Sequence, residues 1–587
     1  MAQLRIAGRA AAPGIARGPW AELVRPELPA PRRIDATEVS TEVARLREAS
    51  KSVSGELRDL AAKVRDSGHA DESAIFLAQA AMARDPDVID AAVAAIERDL
   101  VDAIGALASA AREASERIAA LEDELLRGRA ADVLDVADRI ARRIAGIATD
   151  DGLLTSPAIV VAGDLPPSVT ATLPRDRVLG IALEGASPTA HAAILARAYG
   201  IPAIVSAGGL VAAIRSAGPN VELAIDGSTG EAVIDPDTAE QSRFDGLAAA
   251  TAQARARDLS EAQLPTVTRD GIEVSLLANI GGPDESADAI RLGARGVGLF
   301  RTEFLFLERA AAPSEDEQEA VYRQVVDAFG GLPVTIRLLD VGGDKQVPYL
   351  EQPREDNPFL GVRALRLADH RPDLFITQLR ACFRAAVRGP VKVMAPMIAD
   401  ASDAARLREL AREARASLDR DGAAYGEVAL GVMLEIPSAV LTGDAYLDQL
   451  AFASLGTNDL LQYTLAADRG NAALDRYRDS LHPALLRLVR ESVEACGRAG
   501  VELSVCGEMA GDPAAALALV GLRIRQLSMS APGLAAVRRA IRGADASLLE
   551  ETADAALRDP GAAEARARFD AVLASTSAGD GLVAAGG

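Results

Sequence analysis

The chain has 587 residues, of which 63 are Lys or Arg and 85 are Asp or Glu, and its net charge of −22 excludes a nucleic-acid backbone as the main partner. Apolar residues make up 49% and aromatics only 3%, so several cores packed from aliphatic side chains and Ala are expected, spread over about four domains. Three cysteines without a CxxC pair, an amino terminus without a signal-peptide core and the lack of an uncharged apolar run of roughly 18 residues point to a cytoplasmic protein with no membrane insertion.

Residues 1–20 read as strand and turn. The stretch 37–146 is rich in Ala, Glu and Arg at helical spacing and predicts helices near 38–66, 71–83, 86–121 and 129–146. Asp85-Pro86 supplies a cap followed by Pro at the first helical position. From 156 the period changes. Short aliphatic strands are expected at 158–165, 178–184, 201–206, 221–227 and 231–236, with one helix at about 190–200. The first 20 residues complete this small mixed sheet, and the helical block is an insertion into it. An Ala-rich helix at 236–262 then leads to a regular alternation.

Strands are expected at 272–280, 296–301, 334–340, 391–397, 429–435, 451–456, 501–506 and 524–529, with helices such as 315–329, 372–388, 401–419 and 483–499 between them. Strands alternating with helices predict a (β/α)8 barrel rather than an open sheet. The fold class is therefore multidomain α/β, with a C-terminal barrel and a small α/β domain carrying an all-α insertion. The Gly/Ala-rich segment 576–587 reads as a flexible tail.

The chemistry sits where the apolar runs stop. GVGLFRTE reaches Arg301, VTIRLLD carries Arg337, ALGVMLE ends at Glu435, FASLGTND at Asn458 and Asp459, and VELSVCGE reaches Cys506. Strands buried on both faces should be apolar throughout, so polar residues confined to their carboxyl ends mark a barrel mouth. Lys345, Arg363 and Arg469 join the set, and cations then outnumber carboxylates, which predicts a strongly positive mouth. Arg forks grip phosphate and carboxylate oxygens bidentately, so a small, multiply charged anion is the expected ligand. Glu435 and Asp459 offer hard oxygen ligands of the kind Mg²⁺ takes together with water and substrate phosphate. GGDK at 342–345 allows close backbone approach to an oxyanion. In the small domain, His191 follows Pro188 and Thr189 at a helix start, where free N–H groups and the helix dipole favour an anion. Its ring is also a competent nucleophile near neutral pH. His482 precedes Pro483 and reads as structural, whereas His69 and His370 read as loop residues.

The motifs GLFRTEFLF (298–306), DVGGDK (340–345), NPFLGVRALR (357–366), GVMLEIPSA (431–439), SLGTNDLLQYTLAADRGN (454–471) and VCGEMAGDP (505–513) closely resemble enzyme I of the phosphoenolpyruvate-dependent sugar phosphotransferase system, over nearly the whole chain. The resemblance implies a homodimeric enzyme, joined through its barrels, that moves phosphoryl from phosphoenolpyruvate to His191 and on to the phosphocarrier protein HPr. Arg301, Arg337, Asn458, Asp459 and Arg469 match the substrate-binding positions, Glu435 and Asp459 the Mg²⁺ ligands, and Cys506 the proton donor that completes pyruvate. Thr170, Lys345 and Arg363 take supporting places. Residues 1–20 with 147–236 would be the phosphohistidine domain, 21–146 the carrier-docking insertion, 237–262 a linker helix and 263–575 the phosphoenolpyruvate-binding barrel.

The chain departs from the family pattern at Ala190, where a hydroxyl is usual, at Pro166 in DLPPSVT, and in the docking segment, which reads IFLAQ (75–79) instead of IFEAH. Two rival readings remain: a dikinase- or synthase-type relative, against which the chain offers no Gly-rich phosphate loop, and a phosphoenolpyruvate-sensing regulator with weak turnover.

Overall fold

A computed structural model describes residues 4–23, 28–66, 70–119, 130–147, 154, 156–165, 169, 173–174, 176–185, 191–306, 311–342, 347, 349–350, 355–469 and 471–583. Of 63–66, 70–74, 119, 130–131, 191, 194, 198, 472–473, 475 and 577–583 only the backbone is described. The chain divides into two compact units, 1–255 and 256–587.

In the first unit, strands β1 (Leu4–Ala7), β2 (Arg9–Ala12), β3 (Ile15–Gly18) and β4 (Trp20–Glu22) precede helices α1 (Val39–Asp66), α2 (Ala70–Met82), α3 (Pro86–Asp99), α4 (Ala103–Ala119) and α5 (Ala130–Ala145). Strands β5 (Ala158–Ala162) and β6 (Val178–Leu183), helix α6 (His191–Ala198), strand β7 (Ala203–Val205), helix α7 (Leu210–Ala217) and strands β8 (Leu223–Asp226) and β9 (Glu231–Ile234) follow. The amino-terminal strands do pair with the later ones, in two sheets ordered β1-β9-β8-β3 and β2-β7-β6-β5-β4. The helices bury Leu46, Leu57, Phe76, Ile96 and Leu107 together in a separate core. Asp85 caps α3 by accepting from the Asp87 amide at 2.9 Å.

The single helix expected over 86–121 is two. Leu100 takes a left-handed conformation at φ +48°. Asp102 then accepts from the Gly105 amide at 3.0 Å, and the buried Glu42 accepts from the Ala103 amide at 3.0 Å. These acceptors satisfy first-turn donors that a continuous helix would have used internally. Helix α8 (Thr238–Glu261) spans the division between the units.

In the second unit, β10 (Ser275–Ile280), β11 (Val297–Phe300), β12 (Val334–Arg337), β13 (Val391–Ala395), β14 (Val428–Leu434), β15 (Phe452–Leu455), β16 (Glu502–Val505) and β17 (Gln526–Ser530) form a closed parallel barrel. Each strand overlaps the segment expected from its apolar run. Helices Glu315–Ala328, Pro372–Ala385, Ala401–Asp421 and Pro483–Ala499 lie among those between the strands. The first of them opens with a capping box of Ser314 and Glu317. The carboxyl-terminal helix runs Ala562–Val583. Among the described residues, no helix is long and apolar enough to cross a membrane.

The two-residue period of a strand sorts the barrel's side chains. Ala278, Phe300, Ile336, Leu434, Leu455, Val505 and Leu527 pack outward into the large core under the helices. Their neighbours Asn279, Arg301, Arg337, Glu435, Ser454, Cys506 and Ser528 are therefore on the inward face. A small inner cluster of Leu299, Met394, Met433, Phe452 and Cys506 fills the barrel beneath the mouth.

Phe300 ties β11 to the helix Glu315–Ala328: it is fully buried and meets Tyr322 edge-on, with ring centroids 5.8 Å apart and planes at 87°. Phe300→Ala is expected to lower the stability of the barrel by about 3–5 kcal/mol, read as an earlier transition in urea unfolding followed by circular dichroism.

Candidate active site at the barrel mouth

The carboxyl ends of β11, β12, β14, β15 and β16 converge on one charged cluster. Arg337, the last residue of β12, donates from Nη2 to Glu303 Oε1 at 2.5 Å, and its Nη1 lies 3.2 Å from Asp340 Oδ2. Arg363 lays its fork across Asp340, with Nη2 3.0 Å from each carboxylate oxygen and Nε 3.2 Å from Oδ1. The remaining nitrogen of that guanidinium, Nη1, reaches Asp459 Oδ1 and the Tyr463 hydroxyl, each at 3.4 Å. Arg469 approaches Asp459 Oδ2 from the rim at 3.2 Å. Arg363, Arg337, Glu303, Asp340 and Glu435 are all buried.

Burial by itself would lower the pKa of Arg337, but Glu303, Asp340 and Glu435 outweigh it and the guanidinium is held charged. Arg363 behaves likewise: burial opposes its charge, and Asp340, Asp459 and Glu435 more than restore it.

Glu435 has the opposite problem. Burial, and then the negative charges of Asp459 and Asp340, push its carboxyl up to about 8. Arg337 and a hydrogen bond from the Met397 amide, at 2.6 Å to Oε1, only partly counter this. Met397 holds that amide in place from a left-handed backbone, φ +58°. Gly456 is required beside Glu435, since a Cβ there would lie 2.9 Å from both its Cβ and its Oε2.

Cys506 follows β16, with its amide donating to the Leu455 carbonyl at 3.0 Å and its Sγ 3.5 Å from the same oxygen. Burial pushes its thiol up to about 11, against the lowering effect of Ser454. Glu435 raises it further and Arg337 lowers it, which places Cys506 in the field of the same cluster. At neutral pH this side chain is a thiol and so a proton source, not a nucleophile. Asn458 accepts from the Glu508 amide at 3.0 Å. With Arg469, Gln462 and Glu508 it lines a cleft of about 460 Å³ at the mouth.

The mouth is not strongly positive. Among the described residues, Glu303, Asp340 and Asp459 stand against Arg301, Arg337, Arg363 and Arg469, with Glu435 largely protonated at neutral pH, and most of these cations are already engaged by carboxylates. Glu303 and Asp340 supply the difference, since Glu303 accepts from Arg337 and Asp340 is held by Arg337 and Arg363. Arg301 is the exception. Its guanidinium makes no hydrogen bond or ion pair with a described residue and lies over the Phe304 ring at 5.7 Å. Its Nε and that of Arg337 are buried without a partner among the described residues, and donors in that state call for an anionic acceptor.

Behind the mouth, Gln378 donates to Thr302 and to Tyr322 at 3.0 and 3.1 Å and accepts from the Leu339 amide at 2.8 Å. Thr302 in turn donates to the Arg337 carbonyl at 2.8 Å, so this buried network fixes the end of β12. No motif announced Gln378; it is one polar residue on an otherwise apolar helix face.

Lys345 and Thr170 lie outside the described residues. His191 is the first residue of α6, in the first unit, and only its backbone is described. That helix is anchored through Ala192, Ala193 and Ala196 in the core of the small sheet and through Leu195 in the helical core. His482 caps its helix, its Nδ1 accepting from the Ala484 amide at 3.2 Å.

Comparison with known proteins matches the chain to the family of PEP-utilising enzymes in three parts: its N-terminal domain at residues 7–129, its mobile domain at 154–230 and its PEP-binding domain at 255–546. The chain is 42% identical to a phosphoenolpyruvate-protein phosphotransferase of Streptomyces coelicolor, over 93% of this chain and 94% of that protein. It is 37% identical to the protein of the same name from Geobacillus stearothermophilus, over 92% and 93% respectively. It is 41% identical to a multiphosphoryl transfer protein of Xanthomonas campestris, where the match takes in 85% of this chain and 59% of that longer protein.

Arg363→Met would leave Asp340 buried without its fork, and the barrel is expected to lose about 3–5 kcal/mol in urea unfolding. Alkylation of Cys506 by iodoacetamide, scored by peptide mass, should still be climbing between pH 8 and 10, where an ordinary thiol levels off, because only thiolate reacts and its fraction grows about tenfold per pH unit below the raised pKa.

Proposed function

The chain belongs to the PEP-utilising enzyme family, and from that premise we propose that it is a phosphotransferase that passes phosphoryl from phosphoenolpyruvate to His191 and then to the carrier protein HPr. The observation that carries this reading is the pair of buried guanidinium Nε atoms of Arg301 and Arg337, at the charged cluster of the mouth, that have no partner among the described residues. Phosphoenolpyruvate presents a phosphate and a carboxylate, both of which guanidinium forks bind bidentately. Arg301 and Arg337 take the substrate from one side of the mouth, and Asn458 and Arg469 take it from the cleft side.

Phosphoryl transfer needs in-line placement and neutralised charge more than covalent help. A ring nitrogen of His191 forms the new bond to phosphorus. The bond from phosphorus to the bridging oxygen breaks, and its electron pair leaves an enolate of pyruvate in the barrel. Cys506 then gives its S–H proton to the methylene carbon of the enolate. The enolate becomes the ketone of pyruvate, and the thiolate recovers a proton from solvent. A thiol kept protonated by burial suits that step.

Glu435 and Asp459 would hold a Mg²⁺ ion. Their charges repel one another in a buried setting, which a cation would relieve. No group of three or more His, Cys, Asp or Glu among the described residues could hold a metal. A pair of carboxylates agrees with Mg²⁺, which keeps several waters and takes substrate phosphate oxygens. When bound, the ion would neutralise charge on the phosphate and the developing enolate.

His191 and the barrel mouth belong to different compact units, so the transfer cycle requires that the units meet and part; helix α8, crossing the division, suits a rigid-body movement. The helices α1–α5 are the proposed docking surface for the carrier. In the IFLAQ segment Leu77 is exposed, while Phe76 and Gln79 are buried, so position 77 is the one that faces a partner. The barrel is the proposed dimer contact.

Incubation of the pure protein with radiolabelled phosphoenolpyruvate and Mg²⁺ should yield acid-labile, alkali-stable label that is absent in His191→Ala and passes to added HPr. Cys506→Ala should slow pyruvate formation by roughly a hundredfold or more. Label that survives in His191→Ala rejects the histidine assignment. Phosphoenolpyruvate binding without label or pyruvate would instead favour a sensor of this ligand.

A further inference from the structure

Asn279 is the one polar side chain among the apolar residues of LLANI, and it lies on the inward face of β10. Both ends of its amide are engaged. Its Nδ2 donates to the Cys506 carbonyl at 2.9 Å, and its Oδ1 accepts from the Ser528 hydroxyl at 2.6 Å. Ser528 is fully buried on β17, the strand that separates β10 from β16. The amide of Asn279 therefore reaches past a whole strand to take hold of the backbone of Cys506.

The need for that contact is visible in the ladder. Strand β16 pairs with β17 at only one position, Val505 with Leu527, and β16 ends there. On the other side, Cys506 donates its amide to Leu455 of β15. Its carbonyl lies beyond the last β16–β17 pair, and the Asn279 side chain supplies a donor for it. Asn279 is half-buried and Ser528 fully buried, and apolar residues in their place would leave the Cys506 carbonyl without this donor. The direction of a side chain follows from the backbone that carries it, and a shift of about 1 Å in a reacting group can cost a hundredfold in rate.

We propose that Asn279, oriented by Ser528, is a positioning residue that fixes the backbone of Cys506 and so aims its thiol at the carbon to be protonated. The inference rests on Cys506 being the proton donor. Asn279 hydrogen-bonds to none of the arginines of the mouth, so it acts on the proton step and leaves substrate capture alone.

The test is single-turnover pyruvate formation by the full chain with phosphoenolpyruvate and Mg²⁺, in H₂O and in D₂O. Asn279→Ala should lower the saturating rate by roughly ten- to a hundredfold, shift the half-saturating phosphoenolpyruvate concentration by less than about threefold, and raise the solvent isotope effect to roughly 2 or more as proton delivery becomes limiting. Asn279→Asp, which keeps the size but turns a carboxylate towards the Cys506 carbonyl, should not rescue the rate. Ser528→Ala should fall between Asn279→Ala and the native chain, and it carries the test if Asn279→Ala fails to fold. An unchanged rate in these variants, or a fall in rate and affinity together with an unchanged isotope effect, overturns the proposal. Cys506→Ala separates the two readings. If it keeps the native rate, the proton-donor assignment itself is wrong; if it is inactive while Asn279→Ala is normal, only the positioning role is lost.

Discussion

Asp340 is the residue on which the rest of the mouth depends. A carboxylate this deeply buried must be paired or it will not stay ionised, and it is paired on both oxygens by the fork of Arg363 while Arg337 approaches Oδ2. The same contacts deny both arginines the freedom they would have at a surface. Arg363 then extends to Asp459, and Arg337 to Glu303, so a single acid couples the ends of β12 and β15. A ligand entering such a site meets groups already desolvated and oriented, which is the condition under which fixed charges act most strongly.

The cluster also divides the work of the mouth by the sign of what is left unsatisfied. On the β11 and β12 side, the Nε atoms of Arg301 and Arg337 remain as donors without a partner among the described residues. On the β14 and β15 side, a carboxyl remains that is held back from ionising, since burial and the charges of Asp459 and Asp340 push Glu435 up to about 8 and Arg337 and the Met397 amide help only in part; a cation there would favour its carboxylate. An anionic substrate and a divalent cation answer these opposite needs, and each lowers the cost of the other. Cys506 sits between, in a setting apolar enough to keep its proton. Burial that would spoil a cysteine nucleophile suits this one to the proposed role of an acid.

The polar residues lower in the barrel follow the same logic at smaller scale. Ser454 and Ser504 bond each other at 2.9 Å, and Ser528 bonds Asn279, so the inward faces of β15, β16, β17 and β10 are linked by neutral groups while the outward faces carry only apolar packing. Chemistry and stability are thus assigned to alternate residues of the same strands. This is why a change at Phe300 and a change at Arg301, adjacent in sequence, are expected to have unrelated effects.

Much of this was legible in the residue order. Apolar runs of strand length, spaced by helical segments, specify a closed parallel sheet, because a strand covered on both faces has no polar side to show. The residue at which each run stops was legible for the same reason, and so Arg301, Arg337, Glu435 and Cys506, at or one residue past their strands, could be named in advance, whereas Asp459 lies in the first turn of the helix Thr457–Leu465 that follows β15. What the residue order could not carry is who pairs with whom. Glu303 neutralises a cation presented from the next strand and Asp340 one from a segment 23 residues on, Gln378 and Asn279 act through contacts far along the chain, and Leu100 breaks a helix whose local signals run on. These depend on distances across the barrel and on the loss of solvent around each group. Only closure of the fold determines either, and so tertiary structure alone decided that, among the described residues, most arginines of the mouth are met by carboxylates.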